Sequence, residues 1–558
     1  MKHFLDFIRK ESTDFRAPII VAIVLAGLIN GVGVTVATAA VGSLKPGKVD
    51  FSSLLLFCGC IVGYWITKEL VLNRTTTILE DIIERLRLRI LGKLRDTDLL
   101  PFEGLDKGRI YATLSSDAVS ISMSAGMVIN ASSALVMLGF TLVLIAFISM
   151  KALLIISGLI AVVIVYYMRH SRRVGEELGR ATTRENEFFD NLNGFLAGFK
   201  ELKLNRDKRT DYFKEEIETV VHATNTHRVA AGKALNHSLL IAHTYVFFTL
   251  AGLIFILPII SPSETSIVSI LVPIVLFSAG PLADVIMAVP ALAKAEANIV
   301  NIYELENAID RRIAEHAGAH EPTDFVSPPA QFEHLRAEAL SFQYPAKGRH
   351  PFRIQPADFE LKAGQIVFIV GGNGSGKSTL LKMLTGLYRP SGGRLLLNGE
   401  EIHDGNVTML RELFSPIFTD FHLFKRILGK NKVDEKRIAE LLTRMELADK
   451  TGIENGRVTN LDLSTGQRKR LSLIMSTLDD RPIHLFDEWA ADQDPLFRKF
   501  FYEVLLRQMV AEGKTILAVT HDDHYFHVAD KVYMMEYGRL MDYVPPSTKR
   551  KRPPSTTI

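Results

Sequence analysis

Six apolar stretches, at residues 18–43, 51–71, 127–149, 152–170, 236–260 and 266–290, fill much of the first half of a 558-residue chain. Each is close to the ~20 residues that a helix needs to cross a bilayer. The chain is 47% apolar and 23% charged, a mixture that suits one part facing lipid and another facing water. The connections at 45–50, 150–151 and 261–266 carry little charge, whereas the intervals 72–126 and 171–235 are rich in Lys and Arg. Positive residues favour the cytoplasmic side, so the two long intervals and both termini are expected there.

The first stretch could be mistaken for a secretory leader, since Ala37-Thr38-Ala39 imitates a cleavage site. Asp6, Glu11 and Asp14 precede it, however, and it exceeds the ~7–15 residues of a leader's apolar core, so a first membrane helix is expected. Cys58 and Cys60 are the two cysteines and both lie inside an apolar run, which excludes a disulfide framework and a four-ligand zinc site. A formal net charge of +3, with basic residues spread through loops, gives no footprint for nucleic acid.

Residues 78–94 and 188–221 alternate apolar and charged positions at helical spacing, so the membrane helices are expected to run on into the cytosol. At the bends, Leu100-Pro101-Phe102-Glu103-Gly104 and Gly194-Phe195-Leu196-Ala197-Gly198-Phe199 read either as contact elements or as aromatic closures of a helix hairpin. After Asp310 the pattern breaks into Ala, His, Pro and acidic residues. The expected organisation is an all-α membrane domain over 1–310, a linker over 311–330, an α/β domain over 331–545 and a basic disordered tail over 546–558.

The chemistry lies in the α/β domain. Ile366-Val367-Phe368-Ile369-Val370 reads as a buried strand and leads into Gly371-Gly372-Asn373-Gly374-Ser375-Gly376-Lys377-Ser378-Thr379. That is a phosphate-binding loop with a strand before it and a helix after it. Its glycines let successive N–H groups point at phosphate oxygens, and the helix adds the positive end of its dipole. Lys377 supplies a cation for the β- and γ-phosphates, and the Ser378 hydroxyl can ligand Mg²⁺. A second apolar strand, Ile483-His484-Leu485-Phe486, ends in Asp487-Glu488. Asp487 is suited to the Mg²⁺ shell, and Glu488 to polarising an attacking water as general base.

Leu463-Ser464-Thr465-Gly466-Gln467 lies just before that strand, and here the chain resembles the ATP-binding-cassette superfamily over essentially its whole length. The resemblance implies a six-helix transmembrane domain of exporter type joined to an α/β ATP-binding cassette that binds ATP and Mg²⁺. It further implies that Ser464, Gly466 and Gln467 close over the γ-phosphate held by a partner subunit. One chain has one phosphate loop and one signature, so a second copy is the implied partner. By the same resemblance Tyr344 matches the aromatic that stacks on adenine, His521 the histidine that contacts the γ-phosphate, and Asp494 the loop that communicates across the dimer. Thr419 departs from the pattern: it stands where the superfamily usually has Gln, and its shorter side chain would need water or Asp420 to reach Mg²⁺.

Longer strings, LFSPIFTDFHLF, LSTGQRKRLSL, DEWAADQDPLFRKFFY, THDDHYFHVADKVYMMEYGRL and GFLAGFKELKLN, are similar to the cyclic-peptide exporters, which serve pyoverdine-type siderophores and syringomycin-type lipopeptides. That resemblance implies export of a peptide-type cargo across a bacterial inner membrane, with membrane lipid as the surrounding partner. A polar peptide needs such help, because each unpaired peptide group moved into hydrocarbon costs roughly 2–7 kcal/mol. Asn30, Tyr64, Trp65, Asn130, His243, Tyr245 and Asp284 are polar or aromatic residues inside spans, and each reads either as cavity lining or as an interhelical hydrogen bond. Asp284 is the leading cavity candidate, because an intramembrane acid needs water or a partner. Lys68 and Glu69 read as snorkelling. A lipid or multidrug flippase remains the alternative cargo reading. A soluble ATPase conflicts with the six spans and a weakly hydrolysing channel subunit with Glu488, and nothing ahead of the first span is expected to house a peptidase.

Overall fold

The computed structural model describes residues 2–11, 18–42, 50–315, 327–345, 352–429 and 434–544. The middle of the expected linker, most of the 45–50 connection and the whole basic tail lie outside the described residues. The chain divides into two compact units, one of Met1–Lys93 with Asp106–Ile309 and the other of Leu94–Leu105 with Asp310–Ile558. A short piece of the first cytoplasmic interval thus belongs to the unit that carries the phosphate loop.

The first unit is helical. Ile20–Ala40, Phe51–Arg95, Lys107–Ile148, Arg206–Ile260 and Pro262–Ala314 are long and apolar enough to cross a membrane. The stretch expected at 152–170 lies in the helix Met150–Ala197, whose described apolar part, Met150–Val163, is by itself too short to count as a span. Phe51–Arg95 has 45 residues, and at about 1.5 Å per residue it is roughly twice the length that the hydrocarbon core requires. Its apolar part therefore sits in lipid and its charged part continues into the cytosol. Ser149 starts the next long helix by accepting a hydrogen bond from the Ala152 N–H, which permits a one-residue break from the preceding helix, Ala118–Ile148. The turn at Ser149 is tied to the turn at 261–264, because the Ser149 hydroxyl bonds the Glu264 carboxylate and Lys151 Nζ donates to Ser261 Oγ at 3.0 Å.

Close helix contact depends on small residues. A Cβ at Gly27 would lie 2.7 Å from the Val136 side chain, and one at Gly31 would lie 2.2 Å from the Phe140 ring. The helices Pro18–Gly42 and Ala118–Ile148 approach along this Gly-x-x-x-Gly face, as expected where lipid offers no hydrophobic drive and packing decides. A second packed region joins Met137, Ile156, Tyr245, Leu253, Leu271 and Ile274.

The second unit is α/β. Its strands are β1 His334–Gln343, β2 Arg353–Lys362, β3 Ile366–Val370, β4 Gly392–Leu397, β5 Glu400–Glu401 and β6 Phe414–Ile417. They continue with β7 Ile453–Glu454, β8 Arg457–Val458, β9 Ile483–Asp487, β10 Thr515–Val519, β11 Lys531–Glu536 and β12 Arg539–Asp542. One sheet is antiparallel in the order β2-β1-β4-β5, and β7 and β8 form a small hairpin. The main sheet runs β12-β11-β3-β10-β9-β6, parallel except at its β12 edge. β3, β9 and β10 are buried along their whole length, as expected for parallel strands covered on both faces. Because β3, β10 and β9 are neighbours, the loops leaving their C-terminal ends converge, and those ends are where ligands bind in such sheets.

Candidate functional site

The loop after β3 curls as its glycines require. Gly371 has φ +146° and Gly376 φ +112°; a Cβ at the first would fall 2.1 Å from the Met535 carbonyl oxygen, and at the second 2.8 Å from the Phe352 ring. The helix Lys377–Leu384 starts directly after Gly376. Lys377 is buried and folds back on its own loop, Nζ donating to the Gly371 and Gly372 carbonyls at 2.9 and 3.0 Å. Burial lowers its pKa, against the opposing pull of Glu488 and Asp487. Ser375 Oγ is buried without a hydrogen-bond partner among the described residues, an orphan that a phosphate oxygen would satisfy.

The loops after β9 and β10 bring the carboxylates and the histidine to the same place. Ser378 Oγ donates to Asp487 Oδ2 at 3.1 Å, and Asp487 Oδ1 is buried with no geometrically good hydrogen-bond partner among the described residues. Burial raises the Asp487 pKa, and the neighbouring Glu488 charge adds to that. A hydroxyl and a partly unsatisfied carboxylate form an oxygen-only donor set that fits Mg²⁺. A backbone hydrogen bond from Thr419 to the Asp487 carboxylate opposes the rise in its pKa, which locates this residue beside the same acid. Glu488 adopts a left-handed conformation at φ 51° and turns its side chain out of the strand's path. Its Oε1 lies 3.0 Å from His521 Nε2 and 3.8 Å from Lys377 Nζ. Lys377, Ser378, Asp487, Glu488 and His521 are thereby joined by direct contacts, although Lys377 and His521 stand 144 positions apart in the chain.

The signature residues lie at the start of another helix, Thr465–Asp479. Ser464 caps it and Gln467 returns the contact, with Ser464 N–H donating to Gln467 Oε1 at 3.0 Å. Three further residues support this segment without having been assigned a role from sequence. Lys469 donates to the Glu488 carbonyl at 2.8 Å and pairs with Asp492 at 2.7 Å. Gln493 donates to the Gly466 carbonyl at 3.1 Å and accepts from Arg470 at 2.9 Å. Arg470 also pairs with Asp494 at 2.7 Å and lies 3.6 Å over the Phe497 ring. Asp494 additionally caps the helix Pro495–Phe500. Lys469 and Arg470 stood within the RKR string after the signature; only their burial reveals that they are braces and not a solvated charge run.

Tyr344 is half-buried beside Phe342, Phe352 and Tyr388, and its hydroxyl lies 3.1 Å from Thr379 Oγ1. Gly374 and Asn373 are exposed at the crest of the phosphate loop, open to an incoming ligand.

Residues 354–491 match the family model described as ABC transporter. The ATP-binding protein SyrD of Pseudomonas syringae pv. syringae is 30% identical over 548 residues, covering 95% of this chain and 94% of that protein. The chain belongs to the ABC transporters. It is a half-exporter: one helical membrane region and one ATP-binding domain in a single polypeptide, an ATPase coupled to transport in the bacterial inner membrane, with the ATP-binding domain in the cytoplasm. A bacterial Atm1-family ABC exporter with ATP bound has the same fold, with a TM-score of 0.70 at 17% identity over 95% of both chains. The ATP-dependent lipid A-core flippase of Ralstonia nicotianae is 29% identical over 223 residues, 37% of each chain.

The polar residues within the exporter's spans separate by environment. Tyr245 is buried at 6% exposure within the packed helical core, so it serves packing and does not line an open surface. His243 is exposed and bonds the Leu239 carbonyl of its own helix at 2.9 Å, while Trp65 is 65% exposed. Asn130 keeps a buried Oδ1 without a hydrogen-bond partner among the described residues. Asp284 is exposed and acts electrostatically on Lys68, so the lysine read as snorkelling has an acid in its field.

Proposed function

We propose that this exporter works as a homodimer that hydrolyses ATP at two composite sites and moves a cyclic peptide, lipopeptide or peptide siderophore out of the cytoplasm by alternating access. The observation that carries the hydrolytic half is the contact of Glu488 with both His521 and Lys377 at the ends of adjacent strands. In this reading the membrane domain covers 1–310, the linker 311–330 and the cassette 331–545. Gly371, Asn373, Gly374, Ser375, Gly376 and Thr379 surround the phosphates, and Lys377 leaves its carbonyl partners to meet the β- and γ-phosphates. Ser378 and Asp487 would hold Mg²⁺, which when bound supplies charge neutralisation on the phosphate oxygens. Glu488 accepts a proton from the attacking water while His521 holds its carboxylate and meets the γ-phosphate. Tyr344 carries the adenine. Ser464, Gly466 and Gln467 of each copy close on the nucleotide of the other, and Asp494 links the two sites.

The composite-site reading is tested by mixing. Ser464→Arg and Lys377→Ala each abolish turnover alone, whereas mixed dimers retain one intact site and recover ATPase activity and nucleotide trapping. Mixtures with no more activity or trapping than either variant would remove it. The peptide cargo is supported by the strings shared with cyclic-peptide exporters, and a lipid cargo by the similarity to the Ralstonia flippase. In liposomes, stimulation of ATPase by cyclic lipopeptides and not by added lipid A supports the first; the reverse supports the second.

A further inference from the structure

The segment Leu94–Leu105 is built into the ATP-binding unit by three kinds of contact. Leu99 and Leu100 pack against that unit's core. Asp98 pairs with Arg389 at 3.2 Å and with Arg411 at 2.9 Å, and Arg411 also donates to the Gly386 carbonyl. Glu103, at the end of the short helix Leu99–Glu103, accepts from Lys382 Nζ at 2.8 Å and from the Tyr388 hydroxyl.

Tyr388 is the unusual member. Its residue is only 1% exposed, so its phenol must find an acceptor or pay desolvation, and the carboxylate it finds comes from a distant part of the sequence. Its ring stacks on Phe342 at 5.1 Å and meets Tyr344 edge-on at 6.0 Å, while Phe342 meets Tyr344 at 5.0 Å. Lys382 lies 5.0 Å over the same ring and within 3.3 Å of its hydroxyl. Three aromatic rings therefore form one packed group, anchored at one end by Glu103 and ending at the other in the ring assigned to adenine. Interiors at this packing density transmit a displaced ring to its neighbours.

The geometry points to Tyr388 as a positioning residue for adenine recognition, with Glu103 as its anchor, so that the seating of the helix Leu99–Glu103 sets the orientation of Tyr344. This rests on Tyr344 being the adenine platform. Loss of the Tyr388–Glu103 bond leaves the buried hydroxyl without an acceptor, or the ring free to shift, and weakens stacking on the base. The ring group touches the phosphate loop only at its near end, where the Tyr344 hydroxyl lies 3.1 Å from Thr379 Oγ1, while Tyr388 and Glu103 make no contact with the loop glycines, so a shift at Tyr388 weakens stacking on the base more than contacts to phosphate.

Steady-state ATPase kinetics of the purified full-length exporter, with inorganic tripolyphosphate as competing inhibitor, separate the base from the phosphates. Tyr388→Phe and Glu103→Ala should each raise the KM for ATP by about three- to tenfold, a part of what base stacking provides, while kcat and the tripolyphosphate inhibition constant stay within about twofold. Glu103→Gln keeps an acceptor for the phenol and should restore the wild-type KM. The double variant should be no worse than Glu103→Ala alone, because that substitution already removes the Tyr388 bond along with the Lys382 contact. An unchanged KM in both single variants overturns the proposal, and so does an equal weakening of ATP and tripolyphosphate, which would mean general loosening. If Tyr388→Phe fails to fold, the exposed Glu103 carries the same measurements. Tyr344→Ala is the separate control: an unchanged KM there removes the platform reading, whereas a raised KM there with unaffected Tyr388 and Glu103 variants removes the positioning role alone.

Discussion

The ATP-binding unit hides the apolar residues of its central sheet, with every residue of β3, β9 and β10 buried, whereas the helical unit turns Leu55, Phe147 and Ile259 outward at 78%, 86% and 80% exposure. The two units face different solvents. In water, burial of apolar surface drives the sheet together and leaves polar residues at strand ends, so an acid or lysine there stands out as chemistry. In lipid, apolar residues have no reason to hide, and helix association falls to small residues and local fit. A polar side chain in a span then has two meanings, and only its packing separates them: Tyr245 is core, while Asp284 is exposed within the field of Lys68.

The contrast is broken most directly in the unit where chemistry sits at the strand ends. Glu488→Gln should leave ATP binding intact and slow hydrolysis by about 10²–10⁴, the range for loss of a general base, as read by turnover against nucleotide-binding isotherms. Near-wild-type turnover would remove Glu488 from that role.

A smaller effect tests how completely the same unit excludes water. His484, on β9, is 1% exposed; its Nδ1 meets Ser476 Oγ at 2.9 Å and its Nε2 has no hydrogen-bond partner among the described residues. Burial lowers its pKa from 6.5 to about 4. The unfolded chain therefore takes up the proton first as pH falls, so the His484 contribution is whole above pH 6.5 and is lost between 6.5 and 4, by at most about 3 kcal/mol. Asp487, with its pKa raised mainly by burial, works in the opposite direction. The measurement is thus the difference in Tm between wild type and His484→Asn across that window, and parallel curves would contradict the assignment.

In the helical unit the corresponding test is steric. Gly31→Leu should cost about 1–3 kcal/mol through overpacking against Phe140, while Gly59→Leu, where an added Cβ meets nothing within 4 Å, should be neutral in thermal unfolding in detergent. Equal effects would mean that the Gly-x-x-x-Gly face does not hold these helices. The smallest effect is expected at Asp284. Asp284→Asn should reduce peptide stimulation of ATPase by a few-fold, with basal turnover unchanged, because a water-facing acid admits cargo without supporting the fold. A loss of thermal stability with full stimulation would instead make Asp284 a structural partner of Lys68. Labelling of Asp284→Cys with a water-soluble thiol reagent, in a background without Cys58 and Cys60, reads its access directly.

Much of this exporter was legible residue by residue. The apolar stretches, the phosphate loop, the Asp487-Glu488 pair after an apolar strand and the signature ahead of it are local patterns, each confined to a few turns or one strand-loop unit. Local backbone chemistry is sufficient to specify them: a span needs length, and a phosphate loop needs glycines between a strand and a helix. Other features were out of reach because their partners are far apart in sequence. Lys469, Arg470 and Gln493 carried no signal of their own in the sequence; burial makes them braces for the signature and for Asp494. The contact string around Glu103 was visible, but its attachment to Tyr388 was not, since 285 residues separate them. The apolar patterning determined which segments enter lipid and which strands enter a core; tertiary packing alone decided which polar groups meet, because a side chain's partner is set by the space between elements and not by its neighbours along the chain.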